Sequence, residues 1–299
     1  MELIKDTKID FIALRKKAFV LSAILVLVGV FAFVMISLGK ANLSIDFTGG
    51  TNVQVRFAEK VNIGDLRSAL TNGGIGDVQI QEVSGTRDFF IKTKLSDTDK
   101  ESLATKVTSI LSTQLKGSKF EVLASNMVGP GVGQSLKKYA ILAVILALLG
   151  IIIYIAWRFT FLSGIAATIA TFHDVFVVAG VFYFLNKEFN LLIITALLTI
   201  AGYSLQDTVV VFDRIRENSG KMKSRDDFGN VINTSINEVL SRTIVTGITT
   251  LISLLAIMIF GGEVLFDFAL ALFLGLIVGT YSSIFVASPI LYVWRQRSR

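Results

Sequence analysis

The 299-residue chain has no cysteine and a single histidine. Without cysteine it can form no disulfide, no thiolate metal site and no thiol nucleophile. A lone histidine, His173, lacks the co-ligands that a metal site normally needs, so no metal and no cofactor is expected. Charge is also scarce, with 17% charged residues against 53% hydrophobic ones. That balance is foreign to an ordinary soluble chain and places much of the protein in lipid.

The apolar residues are clustered into runs near the roughly 20 residues that cross a hydrocarbon core of about 30 Å. They predict spans at 18–38, 139–157, 161–185, 191–213, 243–260 and 265–293. The first follows Arg15-Lys16-Lys17 but is longer than a signal-peptide apolar region of about 7–15 residues. No small-x-small cleavage site follows Leu38-Gly39-Lys40-Ala41, so it reads as an uncleaved anchor.

Basic residues in short loops set the orientation. Lys5, Lys8, Arg15, Lys16 and Lys17 precede span one, and Arg158 lies between spans two and three. Arg214, Arg216, Lys221, Lys223, Arg225 and Arg242 join spans four and five, and Arg295, Arg297 and Arg299 close the chain. The opposite short loops hold only Lys187 and, in Gly261-Gly262-Glu263, no base at all. Both termini are therefore expected in the cytoplasm. The expected divisions are a cytoplasmic segment 1–17, a first helix 18–38, an exterior domain 39–136, and helices two to six over 137–299 with a cytoplasmic loop at about 213–242. The net charge of +6 is this orientation bias and not a nucleic-acid footprint.

Inside 39–136 the period alternates between two and about 3.6. Val53, Val55 and Phe57 predict a strand. Ile63, Leu66, Ala69 and Leu70 predict a helix capped by Asn62, with Asp65 in its first turn and Gly73-Gly74 as its stop. Val78 and Ile80 begin a second strand, Gly85 turns it into a third around Phe89 and Ile91, and Ser96 with Asp99 opens a helix on Leu103, Val107, Ile110 and Leu111. Phe120, Val122 and Ala124 close with a fourth strand. The order βαββαβ is the ferredoxin-like arrangement, so the fold class is a six-helix membrane bundle with one exterior α+β domain between helices 1 and 2. Nothing in that domain resembles a catalytic set, and no enzymatic activity is expected.

Three strings carry a resemblance: Ser44-Ile45-Asp46-Phe47-Thr48-Gly49-Gly50, Val128-Gly129-Pro130, and the long run from Gly202 to Asn218, followed by Ser241-Arg242-Thr243. Together they resemble the SecF side of the SecD/SecF family of protein-export membrane proteins, within the resistance-nodulation-division superfamily. The resemblance implies a proton-coupled transporter divided between two chains, which assists Sec-dependent translocation with the proton-motive force. It implies SecD as partner, the SecYEG translocon with YajC and YidC, translocating preproteins and membrane lipids, and a bacterial cytoplasmic membrane. One departure is visible, since Gln206 stands where the family often has Asn.

Asp207 lies within an apolar helix, where a charged carboxylate costs at least about 2.5 kcal/mol unless paired, protonated or hydrated. Arg242 begins the next helix and is expected to reach its depth. The two form either a static ion pair or, as the resemblance implies, a proton relay. Asp174 continues an inward stripe of Gly164, Ala167 and Thr171, and is a second relay candidate or a hydrogen-bonded structural group. Tyr203, Ser204, Gln206 and Thr208, with His173 and Thr246, are expected to build a polar network. Thr246, Thr249, Thr250 and Ser253 share one helix side and either pack or hydrate a proton path. Gly275 and Gly279 have small-xxx-small spacing, for close helix packing. Asp46, Gly49, Gly50, Gly129 and Pro130 mark the two chain crossings at the exterior domain, as hinges or as plain tight junctions. Phe228, Val231, Ile232, Ile236, Val239 and Leu240 predict an interfacial helix.

Rival readings differ in class. An intramembrane aspartyl protease would use Asp174 with Asp207, but the Gly74-Ile75-Gly76-Asp77 string lies in the polar domain and the two aspartates sit at different depths. A half-transporter for lipids or small molecules would need larger exterior domains for a pocket. A passive scaffold for SecD would need no proton chemistry.

Overall fold

The computed structural model describes residues 7–76, 78–82, 86–93, 103–115, 118–222 and 227–297. The turn at Gly85, the helix start at Ser96 and Asp99, the bases Lys5, Lys223, Arg225 and Arg299, the Asp77 of the Gly-x-Gly-Asp string and the side chains of Leu103, Pro130 and Arg297 lie outside what is described. In chain order the elements are α1 (Arg15–Ser37), α2 (Ile45–Thr48), β1 (Gly50–Phe57), α3 (Ile63–Asn72), β2 (Val78–Glu82), β3 (Asp88–Thr93), α4 (Leu103–Gln114) and β4 (Phe120–Val128). Then follow α5 (Pro130–Arg158), α6 (Phe161–Phe184), α7 (Leu191–Gly220), α8 (Phe228–Phe260), α9 (Gly262–Ser282), a π-helical turn (Ser283–Ala287) and α10 (Ser288–Arg297). They divide into two compact units, Met1–Asn42 with Ala143–Arg299, and Leu43–Leu142.

In the first unit, six helical stretches among the described residues are long and apolar enough to cross a membrane. The fold expected from the sequence is met, and the last span differs in detail: it is broken by the π turn, where Ser288 Oγ donates to Ser283 O at 2.9 Å. α1 turns Val20, Leu21, Ile24, Leu27 and Phe31 outward and buries Ala18, Ser22, Gly29 and Ala32. The small residues are what permit close packing: a Cβ on Gly29 would lie 2.4 Å from Phe176 O, and one on Gly180 would lie 3.0 Å from Gly29 Cα.

The expected interfacial helix is corrected. Phe228, Ile232, Ile236 and Leu240 belong to α8 itself and are buried in the protein core with Phe212, Ile215 and Leu291 rather than laid on a lipid surface. The N-terminal segment joins the same core through Phe11 and Ile12. Two asparagines of α8 strap it down: Asn237 accepts from Ile9 N at 3.1 Å and donates to Ile9 O at 2.9 Å. Asn233 accepts from Ile12 N at 3.1 Å and donates to Asp10 Oδ1 at 2.7 Å.

In the second unit the sheet order is β2-β3-β1-β4, with every neighbouring pair antiparallel. Period-two alternation sends Val53, Val55, Phe57, Val78, Ile80, Phe89 and Ile91 to one face, where Leu66 and Leu70 of α3 and Val107 and Leu111 of α4 cover them. Asn62 caps α3 by accepting from Gly64 N at 2.8 Å. The stop at Gly73 also has a packing cause, because a Cβ there would meet Ile110 of α4 at 2.5 Å. Among the junction residues, Gly49 and Gly50 take φ of +69° and +136°, and a Cβ on Gly50 would stand 2.5 Å from Thr93 O. Pro130 opens α5, so Gly131 and Gly133 are helical; proline fixes φ and lacks an N–H that the first helical turn does not need.

On the face opposite the helices, Asp88 is buried and receives a fork from Arg56, Nε at 2.7 Å and Nη2 at 2.8 Å. Those hydrogen bonds, aided by the guanidinium charge, hold its carboxyl below the usual range against the opposing effect of burial. A folded value below the unfolded one means that the stabilisation is complete above about pH 3.9 and is lost as pH falls through the lowered folded value. Proteolysis of this unit in the full chain is therefore expected to accelerate only in acid, and Asp88→Asn is expected to flatten that acid dependence. Gly50→Ala meets both the Thr93 carbonyl and a positive φ, and is expected to destabilise the unit by about 1–2 kcal/mol or more in the same assay.

Candidate functional site

α7 begins on Asn190, whose side chain accepts from Ile193 N at 2.9 Å. Its buried stripe runs Ile193, Ala196, Ile200, Ser204, then the neighbours Asp207 and Thr208, then Val211 and Ile215, a helical spacing that keeps one face inward. Asp207 is thus placed by periodicity against α9. The two helices approach closely because α9 has no side chain where α7 is bulky: a Cβ on Gly275 would lie 2.4 Å from Ile200 Cγ1, and one on Gly279 would lie 3.3 Å from Ser204 Cβ. Asp207 accepts one long hydrogen bond, from Thr280 Oγ1 at 3.4 Å. Beside it the Thr208 hydroxyl is buried without a partner among the described residues.

α6 contributes the second carboxylate. Gly164, Ala167, Thr171 and Asp174 are all buried, as the stripe predicts. Asp174 is 0% exposed and lies within hydrogen-bond distance of three side chains: His173 Nδ1 at 2.8 Å, Ser282 Oγ at 2.7 Å and Ser204 Oγ. Each hydrogen bond to a charged group contributes about 1.5–3 kcal/mol. Three of them offset a mid-membrane carboxylate cost of about 2.5–3.5 kcal/mol, and the single long contact at Asp207 does not.

The other sequence-predicted residues divide. Ser204 and His173 join the centre, and Tyr203 leaves it to meet Thr250 Oγ1 at 3.5 Å on α8. Gln206 is exposed, between the buried Leu205 and Asp207. Thr246 bonds back to its own helix at Arg242 O and Thr243 O, and Thr249, Thr250 and Ser253 bond back likewise. Arg242 is exposed and makes no ion pair with Asp207 among the described residues. The buried side of α8 runs through Ile236, Leu240, Thr243 and Gly247, and position 242 falls off it. Sequence reasoning missed Thr280 and Ser282, the α9 donors to the two carboxylates. Their signal was position alone, since a hydroxyl one and three residues after Gly279 flanks the closest approach to α7.

The bases and acids at the helix ends pair separately. Arg158 bonds Asp213, Lys187 bonds Asp267 at 2.7 Å, and Arg214 bonds both Glu217 and Glu238 at 2.6 Å. Among the described residues no cluster of three or more His, Asp or Glu is placed to hold a metal.

Residues 107–297 match the family model described as protein export membrane protein SecD/SecF, C-terminal, and residues 40–61 match the SecD/SecF GG motif. The latter contains Gly49 and Gly50. The chain is 48% identical over its full length to the protein translocase subunit SecF of Thermodesulfovibrio yellowstonii, covering 98% of that protein. It is 41% identical to protein translocase subunit SecDF of Thermus thermophilus, with 94% of this chain aligned to 38% of that one. The crystal structure of SecDF, a translocon-associated membrane protein from Thermus thermophilus, superposes on 98% of the chain with TM-score 0.85 and 39% identity. The chain spans 39% of that structure's length, the remainder having no counterpart here. On the family model and the full-length relative together, the chain belongs to the SecD/SecF family of protein export membrane proteins.

Proposed function

We propose that the chain is the SecF-type subunit of a SecD–SecF complex that assists Sec-dependent translocation of preproteins across the bacterial cytoplasmic membrane, drawing on the proton-motive force. The length relation supports a two-chain complex. The chain matches SecF over nearly its whole length but only 38% of a fused SecDF, so SecD supplies what the fused relative carries in one chain. Six spans with one Asp207-type helix amount to half of a transporter built from two related halves. The SecYEG translocon, with YajC and YidC, is the assembly on which such a complex acts.

One observation carries the mechanism: Asp207 is buried in the close α7–α9 seam with a single long hydrogen bond, and therefore has the strongest reason in the bundle to exchange a proton. When it ionises, Arg242 of α8 is the cation recruited to it. When it is protonated, that attraction vanishes and α7 and α8 are released from one another. Movement of these helices against SecD is passed to the exterior unit through Asp46, Gly49, Gly50, Gly129 and Pro130, which act as its joints.

Asp207→Asn is expected to leave membrane accumulation and SecD co-purification unchanged, and to reduce export in vesicles to the level seen without a gradient. Export equal to wild type over the same gradient would remove Asp207 from the mechanism. Arg242→Ala is expected to be comparably inactive. Single cysteines report orientation: one at Asn72 is expected to label from the exterior only, and those at Lys221 and Gln296 from the cytoplasm only. Exterior labelling at Lys221 would invert the map.

A further inference from the structure

Asp174 is a carboxylate that this scheme leaves unused, and its surroundings are built for charge. Oδ2 receives Ser204 Oγ from α7 and Ser282 Oγ from α9, and Oδ1 faces His173 Nδ1 at 2.8 Å. An ionised carboxylate only accepts hydrogen bonds, and it suits the two serine donors together with the His173 tautomer that carries its proton on Nδ1. The His173 side chain is 2% exposed, with Nδ1 committed to Asp174 and a buried Nε2 that has no partner among the described residues. The ring thus keeps one nitrogen with proton-binding capacity and no protein group sharing it. It lies against Tyr281, centroids 6.2 Å apart.

Few other charges face this pair. α7 presents Asp207 and α9 presents Tyr281. α1 has no charge after Lys17, and the π turn and α10 have none before Arg295.

Asp207 is linked to the pair through two helices at once. On α7, Ser204 and Asp207 are three residues apart on one face, about 4.5 Å along the axis. On α9, Thr280 donates to Asp207 and Ser282 to Asp174. The ground between them is open because Gly279 has no side chain: a Cβ there would stand 3.3 Å from Ser204 Cβ and 3.6 Å from Asp174 Oδ2. Two carboxylates sharing such a seam repel when both are ionised, and a single proton relieves them.

We infer that Asp207 and the His173–Asp174 pair hold one proton between them across the α7–α9 seam, which rests on the reading of Asp207 as the proton-binding residue. With the proton on Asp207, His173 is neutral and Asp174 carries the charge. When Asp207 gives it up, the pair takes a proton as imidazolium and carboxylate, and the negative charge appears at Asp207. The seam keeps one net negative charge in both states, and only its position changes. His173 is then a positioning residue for the charge that Arg242 answers.

The test follows Asp207 by infrared titration of the full chain in lipid vesicles, its carboxylic C=O band being the one lost in Asp207→Asn. Asp174→Asn removes the neighbouring anion and is expected to move the Asp207 step to lower pH by about one unit. His173→Asn keeps a side-chain N–H in the Nδ1 place but cannot bind a proton, and is expected to move the step to higher pH. A structural role for His173 leaves the step where it is in the wild type, so a wild-type midpoint in His173→Asn overturns the proposal whatever Asp174→Asn shows. Should Asp174→Asn fail to accumulate, His173→Asn decides alone. Export by Asp207→Asn answers separately whether Asp207 carries the driving proton at all, so the two failures are distinguishable.

Discussion

Burying a carboxylate among apolar helices is the constraint around which the membrane unit is arranged. Among the described residues no base forms an ion pair with Asp207, and only His173 meets Asp174. The unit meets it with hydroxyls drawn from neighbouring helices, and those hydroxyls reach only if the helices come unusually close. The glycines of α9 and the small stripe of α6 follow from that requirement as much as from packing. A side chain at Gly275 would force α9 away from α7 and draw Ser204 and Ser282 away from their common acceptor.

The two carboxylates illustrate how unequal satisfaction separates roles. Asp174, with three donors and no exposure, is stable in place and rigidly oriented. Asp207 has one weak donor and an orphaned hydroxyl beside it. In a low-dielectric interior the difference between a met and an unmet charge is larger than the energy of any one helix contact.

Much of this was legible in the sequence, for physical reasons that can be named. The spans follow from run length, and βαββαβ from the change of period at Val53, Ile63, Val78 and Leu103. Asp174 and Asp207 were visible because any carboxylate in an apolar run is anomalous. Thr280 and Ser282 were not, because a hydroxyl in a membrane helix is unremarkable until the helix opposite it is known. Arg242 was read as inward from its place in sequence, and its azimuth was fixed instead by the stripe through Leu240 and Gly247. The stripe from Phe228 to Leu240 is amphipathic whether it lies on lipid or on protein, and only the docked N-terminal segment, with Phe11 and Ile12, decides between them.

That segment is held in an unusual way. Asn237 grips both backbone groups of residue 9 and Asn233 grips the backbone N–H of residue 12, so at these two positions the asparagines recognise peptide groups, while Asp10, Phe11 and Ile12 add side-chain contacts. Backbone recognition is blind to most substitutions. The Ile9 side chain points outward and is free to drift over evolutionary time, and the one replacement the geometry forbids at residues 9 and 12 alike is proline, which has no N–H to offer. At residues 9 and 12 the hold depends on the two asparagines and on a free N–H, and the identity of the residue that offers that N–H matters less.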